Sequence, residues 1–228
     1  MSKLPTSNSA FRVRIAILVL CGILTLSFLT VASQFVRTLS QLDIVEAERD
    51  RWQRPSEIVS AMNLQAGNVV ADLGCGSGYF SLKLSSAVGG RGKVLAVDIR
   101  RLPLIFLWAR TFEKNLRNVH VMHDEPDNPQ LPSQTVNAVL IANTYHELPD
   151  SQPILDNVMR SLIPGGRLVV VDPAPKANEE EHHVDPSSAE AALRRSRFEI
   201  VNRQDRFIDD PDNGLWWLIV ARNPRTQP

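Results

Sequence analysis

An apolar run, Val69-Val70-Ala71-Asp72-Leu73, delivers the chain into Gly74-Cys75-Gly76-Ser77-Gly78 and straight on into Tyr79-Phe80. The run reads as a buried strand, and the stretch after the glycines reads as a helix over 79–88. Glycine lets a backbone turn sharply and approach a ligand with no side chain between them. The helix that follows offers unpaired amides and the positive end of its dipole. A turn that only redirects the chain needs one or two glycines. Three at alternate positions after a buried strand point to a ligand site.

The rest of the chain repeats the alternation. Strands are expected at 68–73, 93–99, 118–122, 137–142, 167–171, 198–203 and 216–221, with helices at 79–88, 102–115, 151–162 and 187–196. Strands as uniformly apolar as Val94-Leu-Ala-Val97 or Leu168-Val-Val-Val171 belong in a parallel sheet covered on both faces. The last two strands have no helix between them, which predicts an antiparallel hairpin at one edge. The fold class is therefore α/β and Rossmann-like, a mostly parallel sheet with helices on both faces.

Spacing decides which ligand the glycines serve. A dinucleotide fingerprint needs its third glycine at position six, where this chain has Tyr79; a Walker loop needs Lys and then Ser or Thr after its last glycine, where Tyr79-Phe80 stand. Both phosphate-binding readings fail. Asp98 closes the second strand, where a carboxylate can accept hydrogen bonds from two ribose hydroxyls. Asp124 follows the third strand within reach of an adenine amino group.

Residues 15–36 contain no charge and, as a helix, span roughly 30 Å, the thickness of a bilayer core. They read as a single-pass transmembrane anchor, with a tail at 1–14, a polar connector at 37–54, the main domain at 55–223 and a second tail at 224–228. A cleaved signal peptide is the competing reading, because Val31-Ala32-Ser33 resembles a cleavage site; it would make the domain periplasmic or secreted. Three basic residues precede the span and four follow it closely, so charge does not orient it. The stretch around 102–112 is apolar on more than one face and is expected to be a buried helix packed on the sheet, with contact to the membrane as the alternative.

Lys plus Arg equals Asp plus Glu, at 25 each, which argues against a nucleic-acid partner. Cys21 lies in the span and Cys75 in the glycine loop, so neither a disulfide framework nor a cysteine metal site is expected. Glu179, Glu180, Glu181, His182 and His183 are adjacent in sequence, and adjacent residues seldom converge on one ion. No metal is expected.

The segments ADLGCGSGYF, AVDI, LPSQTVNAVLIANTYHEL and LIPGGRLVVVD together resemble the class I S-adenosylmethionine-dependent methyltransferases, in particular the small-molecule enzymes related to the ubiquinone and menaquinone C-methylases. The resemblance covers about residues 52–223. It implies a seven-stranded sheet ending in the antiparallel hairpin, and S-adenosyl-L-methionine as cofactor. It implies that Asp72 and the backbone at Gly74 and Gly76 hold the methionine part, with Gly78 in the same cofactor-binding loop, Asp98 the ribose, and Ile99 and Asp124 the adenine. Asn143 would line the methyl-transfer pocket.

Methyl transfer depends on alignment, with a base where the acceptor is acidic. His146 is the candidate base; Tyr145, Glu147, His182 and His183 are candidates for contact with substrate. Nucleobase amino-methylases carry prolines after the fourth strand that Asn143-Thr144-Tyr145 lacks, and arsenite methylases need more cysteines. What remains is a small organic methyl acceptor, with the bilayer as a second partner and the domain on the cytoplasmic side, where the cofactor is made. Two rivals keep the fold: a non-catalytic sensor or scaffold that binds the cofactor, and aminopropyl transfer.

Overall fold

The computed structural model describes residues 7–124, 129–148, 150–175 and 183–224. The chain divides into two compact units, Met1–Val45 and Glu46–Pro228. Helix α1, Ser7–Trp52, supplies all the described structure of the first unit and the opening turns of the second. Within it lies the one helix among the described residues long and apolar enough, by length and composition, to cross a membrane; the mean hydropathy of its most apolar window is 2.6.

The second unit is built on one seven-stranded sheet in the order β3-β2-β1-β4-β5-β7-β6. The strands are β1 Val69–Leu73, β2 Lys93–Asp98, β3 Val119–His123, β4 Val136–Ala142, β5 Leu162–Pro173, β6 Glu199–Asp210 and β7 Gly214–Arg222. The first five run parallel and β7 pairs antiparallel with both β5 and β6. The helices are α2 Pro55–Ala61, α3 Tyr79–Val88, α4 Arg101–Glu113, α5 Ser151–Ser161 and α6 Pro186–Arg195.

Alternate residues of the central strands point to opposite faces. Ala71, Val139, Ile141 and Leu168 enter one core with Leu155 and Val158 of α5 and Leu193 of α6. Val70, Leu140 and Val169 enter the other with Ile58 of α2 and Phe80 and Leu84 of α3. A parallel strand packed on both faces has no polar side to present, which is why these segments read as unbroken apolar runs.

Four elements depart from expectation. Helix α2 was not foreseen; Arg54 enters the left-handed region at φ 56°, ends the preceding helix, and leaves Pro55 to open a new one with its ring in a first-turn position. Strand β5 starts earlier, at Leu162, because a register shift opposite Val136–Ala138 absorbs Pro164-Gly165-Gly166. Strand β6 runs on to Asp210 through Asn202-Arg203-Gln204-Asp205-Arg206. That stretch is polar because β6 is the sheet edge and its core contact is made at Phe207 and Ile208.

Helix α4 also departs from the buried helix expected. Leu104 and Leu107 are buried, but Leu102, Ile105, Trp108 and Phe112 are exposed.

Candidate active site

The strand order reverses between β1 and β4, and ligands of open α/β sheets bind beyond the carboxyl ends of strands at such a point. A cleft of about 690 Å³, counted out to its open mouth, lies there. Its walls include Leu73 and Gly74 from the end of β1, Asp98, Ile99 and Arg100 from the end of β2, and Asp124 from the end of β3. Thr144, Glu147 and Leu148 close it from beyond β4.

The glycine loop is bound to the strand beside it. The amides of Gly74 and Cys75 both donate to the Val97 carbonyl, at 2.9 and 3.0 Å. Asp98 is buried; its Oδ2 accepts the Gly76 N–H and its Oδ1 the Arg100 N–H, each at 2.8 Å. Gly74 has φ +73°, and a Cβ there would come within 2.2 Å of the Thr144 side chain. At Gly78, φ is +94° and a Cβ would meet Leu107 at 2.3 Å, so this glycine lets α3 and α4 pack together. One glycine thus lets Thr144 pack against the loop and the other lets the helices beneath it close together.

Asp72 lies under the loop, away from the cleft wall. It is buried and accepts the Ser81 hydroxyl of α3 at 2.6 Å. Burial pushes its carboxyl up to about 6, against the pull of that hydrogen bond. Asp124 is also buried, and its Oδ1 accepts the Gln130 side-chain amide at 2.9 Å.

A second group of residues stands beyond β4 and β5. Asp172, fully buried near the end of β5, accepts both the backbone N–H of His146 at 2.9 Å and its ring Nδ1 at 3.0 Å through Oδ2. Its other oxygen is buried with no hydrogen-bond partner among the described residues. The hydrogen bond to Asp172 raises the His146 pKa above its ordinary value, against the opposing effect of burial. Nδ1 faces a carboxylate and is therefore the protonated nitrogen of the neutral ring, leaving Nε2 to accept a proton. The His183 ring stacks on that of His146, with centroids 5.8 Å apart and planes at 17°.

The structure thus gathers Gly74, Asp98, Ile99, Asp124 and Glu147 into the cleft wall, and brings His146 and His183 together beside β4 and β5. It places Asn143 and Tyr145 elsewhere. Asn143 is exposed, at φ 56°, and its amide donates to Val171, so it turns the chain after β4. Tyr145 is buried, donates to Ser151 at 3.2 Å and meets Trp217 edge-on at 6.0 Å; it packs the core. His182 lies outside the described residues. Sequence reasoning missed Arg100, Thr144 and Asp172. Arg100 directly follows the strand-end residues and could have been found by position; Asp172 could not, because its partner is 26 residues away. Among the described residues there is no cluster of His, Cys, Asp or Glu that could hold a metal ion.

Residues 70–166 match the family model for a methyltransferase domain. Over 134 residues the chain is 27% identical to a demethylmenaquinone methyltransferase of Oceanobacillus iheyensis; the match takes in 58% of this chain and 56% of that protein. The chain therefore spans little more than half the length of that relative. Among solved structures, a SAM-dependent methyltransferase from Aquifex aeolicus superposes with a TM-score of 0.68 at 22% identity, over 81% of this chain and 97% of that one. The [4+2]-cyclase SpnF superposes with a TM-score of 0.66 at 14% identity, over 76% of this chain and 81% of that one, so the same fold also hosts different chemistry.

The match over residues 70–166 and the fold make this chain similar to the S-adenosylmethionine-dependent methyltransferases. The cofactor of such a domain is S-adenosylmethionine. The residues present fit it: a buried carboxylate, Asp98, stands in the cleft wall with an acceptor site to spare, and the glycine loop it holds has open space at Gly76 where a side chain would stand.

Proposed function

We propose that this chain is a membrane-anchored enzyme that moves a methyl group from S-adenosylmethionine to a small apolar acceptor, a quinol ring of the kind named for its relatives. The observation that carries the reading is the His146–Asp172 pair, held beyond β4 and β5 next to a cofactor cleft at the ends of β1 and β2.

Bound in the cleft, the cofactor supplies an electrophilic methyl carbon on a positively charged sulfur. In this reading Asp98 holds the ribose hydroxyls, Ile99 and Asp124 flank the adenine, and the loop at Gly74 and Gly76 with Asp72 behind it receives the methionine part. His146 would take the acceptor's acidic proton on Nε2, leaving the acceptor an electron pair with which to receive the methyl group that the cofactor would supply. Asp172 fixes the ring and stabilises the imidazolium that results. Leu73, Ile141, Leu148 and Ile154 make much of the cleft wall apolar, which suits an acceptor with little charge.

The domain works on the cytoplasmic side, where its cofactor is made, and external protease should leave it intact in whole cells. The direct test supplies the full chain, in lipid nanodiscs, with methyl-labelled S-adenosylmethionine and either a demethylated quinol or a water-soluble catechol. Label in the quinol supports the reading. Cofactor binding with no label in any acceptor would favour a sensor of the same fold.

A further inference from the structure

Helix α4 carries an apolar face that nothing among the described residues covers. Leu102, Ile105, Trp108 and Phe112 follow at steps of three and four and so share one side of the helix; they are 65%, 52%, 63% and 80% exposed. Leu104 and Leu107 on the other side are buried with Ala96 of β2. The Trp108 and Phe112 rings stack with centroids 6.2 Å apart, forming one aromatic plate. Single exposed apolar side chains are ordinary, but a contiguous row marks a contact surface.

Two observations choose the occupant. Arg101 stands exposed at the start of the row, and Lys114 and Arg117 just past its end, with Glu113 as the acidic neighbour; Arg100 instead pairs with Asp98. A helix with Trp, Phe and Leu on one side and basic residues around them is built to lie in the boundary between headgroups and acyl chains. The chain also carries, near its N-terminus, a helix long and apolar enough by length and composition to cross a bilayer.

We propose that the α4 face is a lipid-docking surface, with Leu102, Ile105, Trp108 and Phe112 set into the acyl boundary and the flanking arginines and lysine on anionic headgroups. Ile99 and Arg100 line the cofactor cleft and lead directly into α4. Lipid contact along this helix therefore sets the mouth of the cleft against the membrane, and a lipophilic acceptor enters without crossing water. The inference rests on residues 15–36 being a bilayer span and deepens the proposed function by naming the phase that delivers the acceptor.

The test uses the full chain in liposomes of phosphatidylcholine and phosphatidylglycerol, with or without bromine on the acyl chains. Tryptophan emission is compared between the natural chain and Trp108→Phe, whose difference isolates Trp108 from Trp52, Trp216 and Trp217. Brominated lipid should quench that difference component at least about twofold, aqueous iodide should leave it nearly unchanged, and Ile105→Glu should abolish the lipid quenching with the far-ultraviolet spectrum preserved. Quenching by iodide and not by brominated lipid would overturn the proposal. Shielding from both would overturn it too, and would assign the face to a protein contact or a second copy. Flotation reads the anchor separately: a chain that does not float with liposomes loses the tether and the proposal together, whereas one that floats with Trp108 open to iodide loses only the docking face. S-adenosylmethionine binding by the same samples reads the enzyme assignment independently of both.

Discussion

One oxygen of Asp172 binds His146 twice, through the backbone amide at 2.9 Å and the ring Nδ1 at 3.0 Å, so a single buried carboxylate sets both the position of the loop and the tautomer of the ring. The pair exists because β4 and β5 are neighbours in register, which brings the residues beyond β4 against the end of β5. The proton-accepting form of His146 is the neutral ring, and its pKa is raised by Asp172.

A pH profile tests this pair. Turnover should climb as pH rises through the raised pKa of His146, giving an acidic limb above its ordinary value of 6.5. Asp172→Asn removes the charge and should move the limb to lower pH while lowering kcat about 10- to 100-fold. The carboxylate's contribution to stability through His146 has the opposite sense: present at low pH, it is lost as pH rises past the same pKa. An acidic limb that stays in place in the Asn variant would deny the pair its role.

Gly78 makes a sharper stability test than Gly76. Gly78→Ala meets both a left-handed backbone, about 1–2 kcal/mol, and Leu107 at 2.3 Å, so a loss of about 2–4 kcal/mol is expected by chemical denaturation. Gly76→Ala has no atom within 4 Å of the added carbon and should lose less stability. Equal losses at the two positions would mean that α3 and α4 are not packed as described.

Arg110 is buried and its guanidinium binds Glu46 through two contacts, at 2.6 and 2.5 Å, and the Ser77 carbonyl of the glycine loop at 2.8 Å. Glu46→Ala leaves that charge without its carboxylate and should cost about 3 kcal/mol, whereas the double change to Glu46→Met with Arg110→Met should recover much of it. A fragment begun at Pro55 should show the same defect as Glu46→Ala, and one begun at Gln41 should not. Thermal unfolding of the four proteins compares them directly.

Asp72 bears on stability and cofactor in opposite directions. Its folded pKa of about 6 exceeds the ordinary 3.8, so its stabilising contribution is present below pH 3.8 and lost as pH rises through about 6. The difference corresponds to roughly 3 kcal/mol at 1.36 kcal/mol per pH unit. Asp72→Asn should flatten the fall in stability between pH 4 and 6, and leave a more stable protein at pH 7 that binds S-adenosylmethionine more weakly. A variant with unchanged pH dependence would show that Asp72 is not buried as an ion.

The parts of the site that were legible in the sequence are the local ones. A strand, three glycines and a helix must lie within a few residues of each other, and Asp98 declares itself by closing an apolar strand. The parts that were not legible depend on register or on distant packing. Asp172 finds His146 across 26 positions, and Arg110 finds Glu46 across 64. Tyr145 illustrates the converse: its place in a loop after β4 suited a substrate contact, yet the chain turns at Asn143 and sends the ring into the core against Trp217. The apolar face of α4 was read as burial because composition alone does not distinguish a helix covered by protein from one that faces lipid.

The central claim is that this domain binds S-adenosylmethionine through the glycine loop and Asp98. Calorimetric titration of the cofactor into the full chain, with Asp98→Ala as the comparison, tests it most directly. Binding in the micromolar range, about 8 kcal/mol, that weakens at least about 100-fold in Asp98→Ala is the result expected. A folded natural chain that takes up no cofactor, or an Asp98→Ala variant that binds as tightly, would contradict the assignment of the cleft.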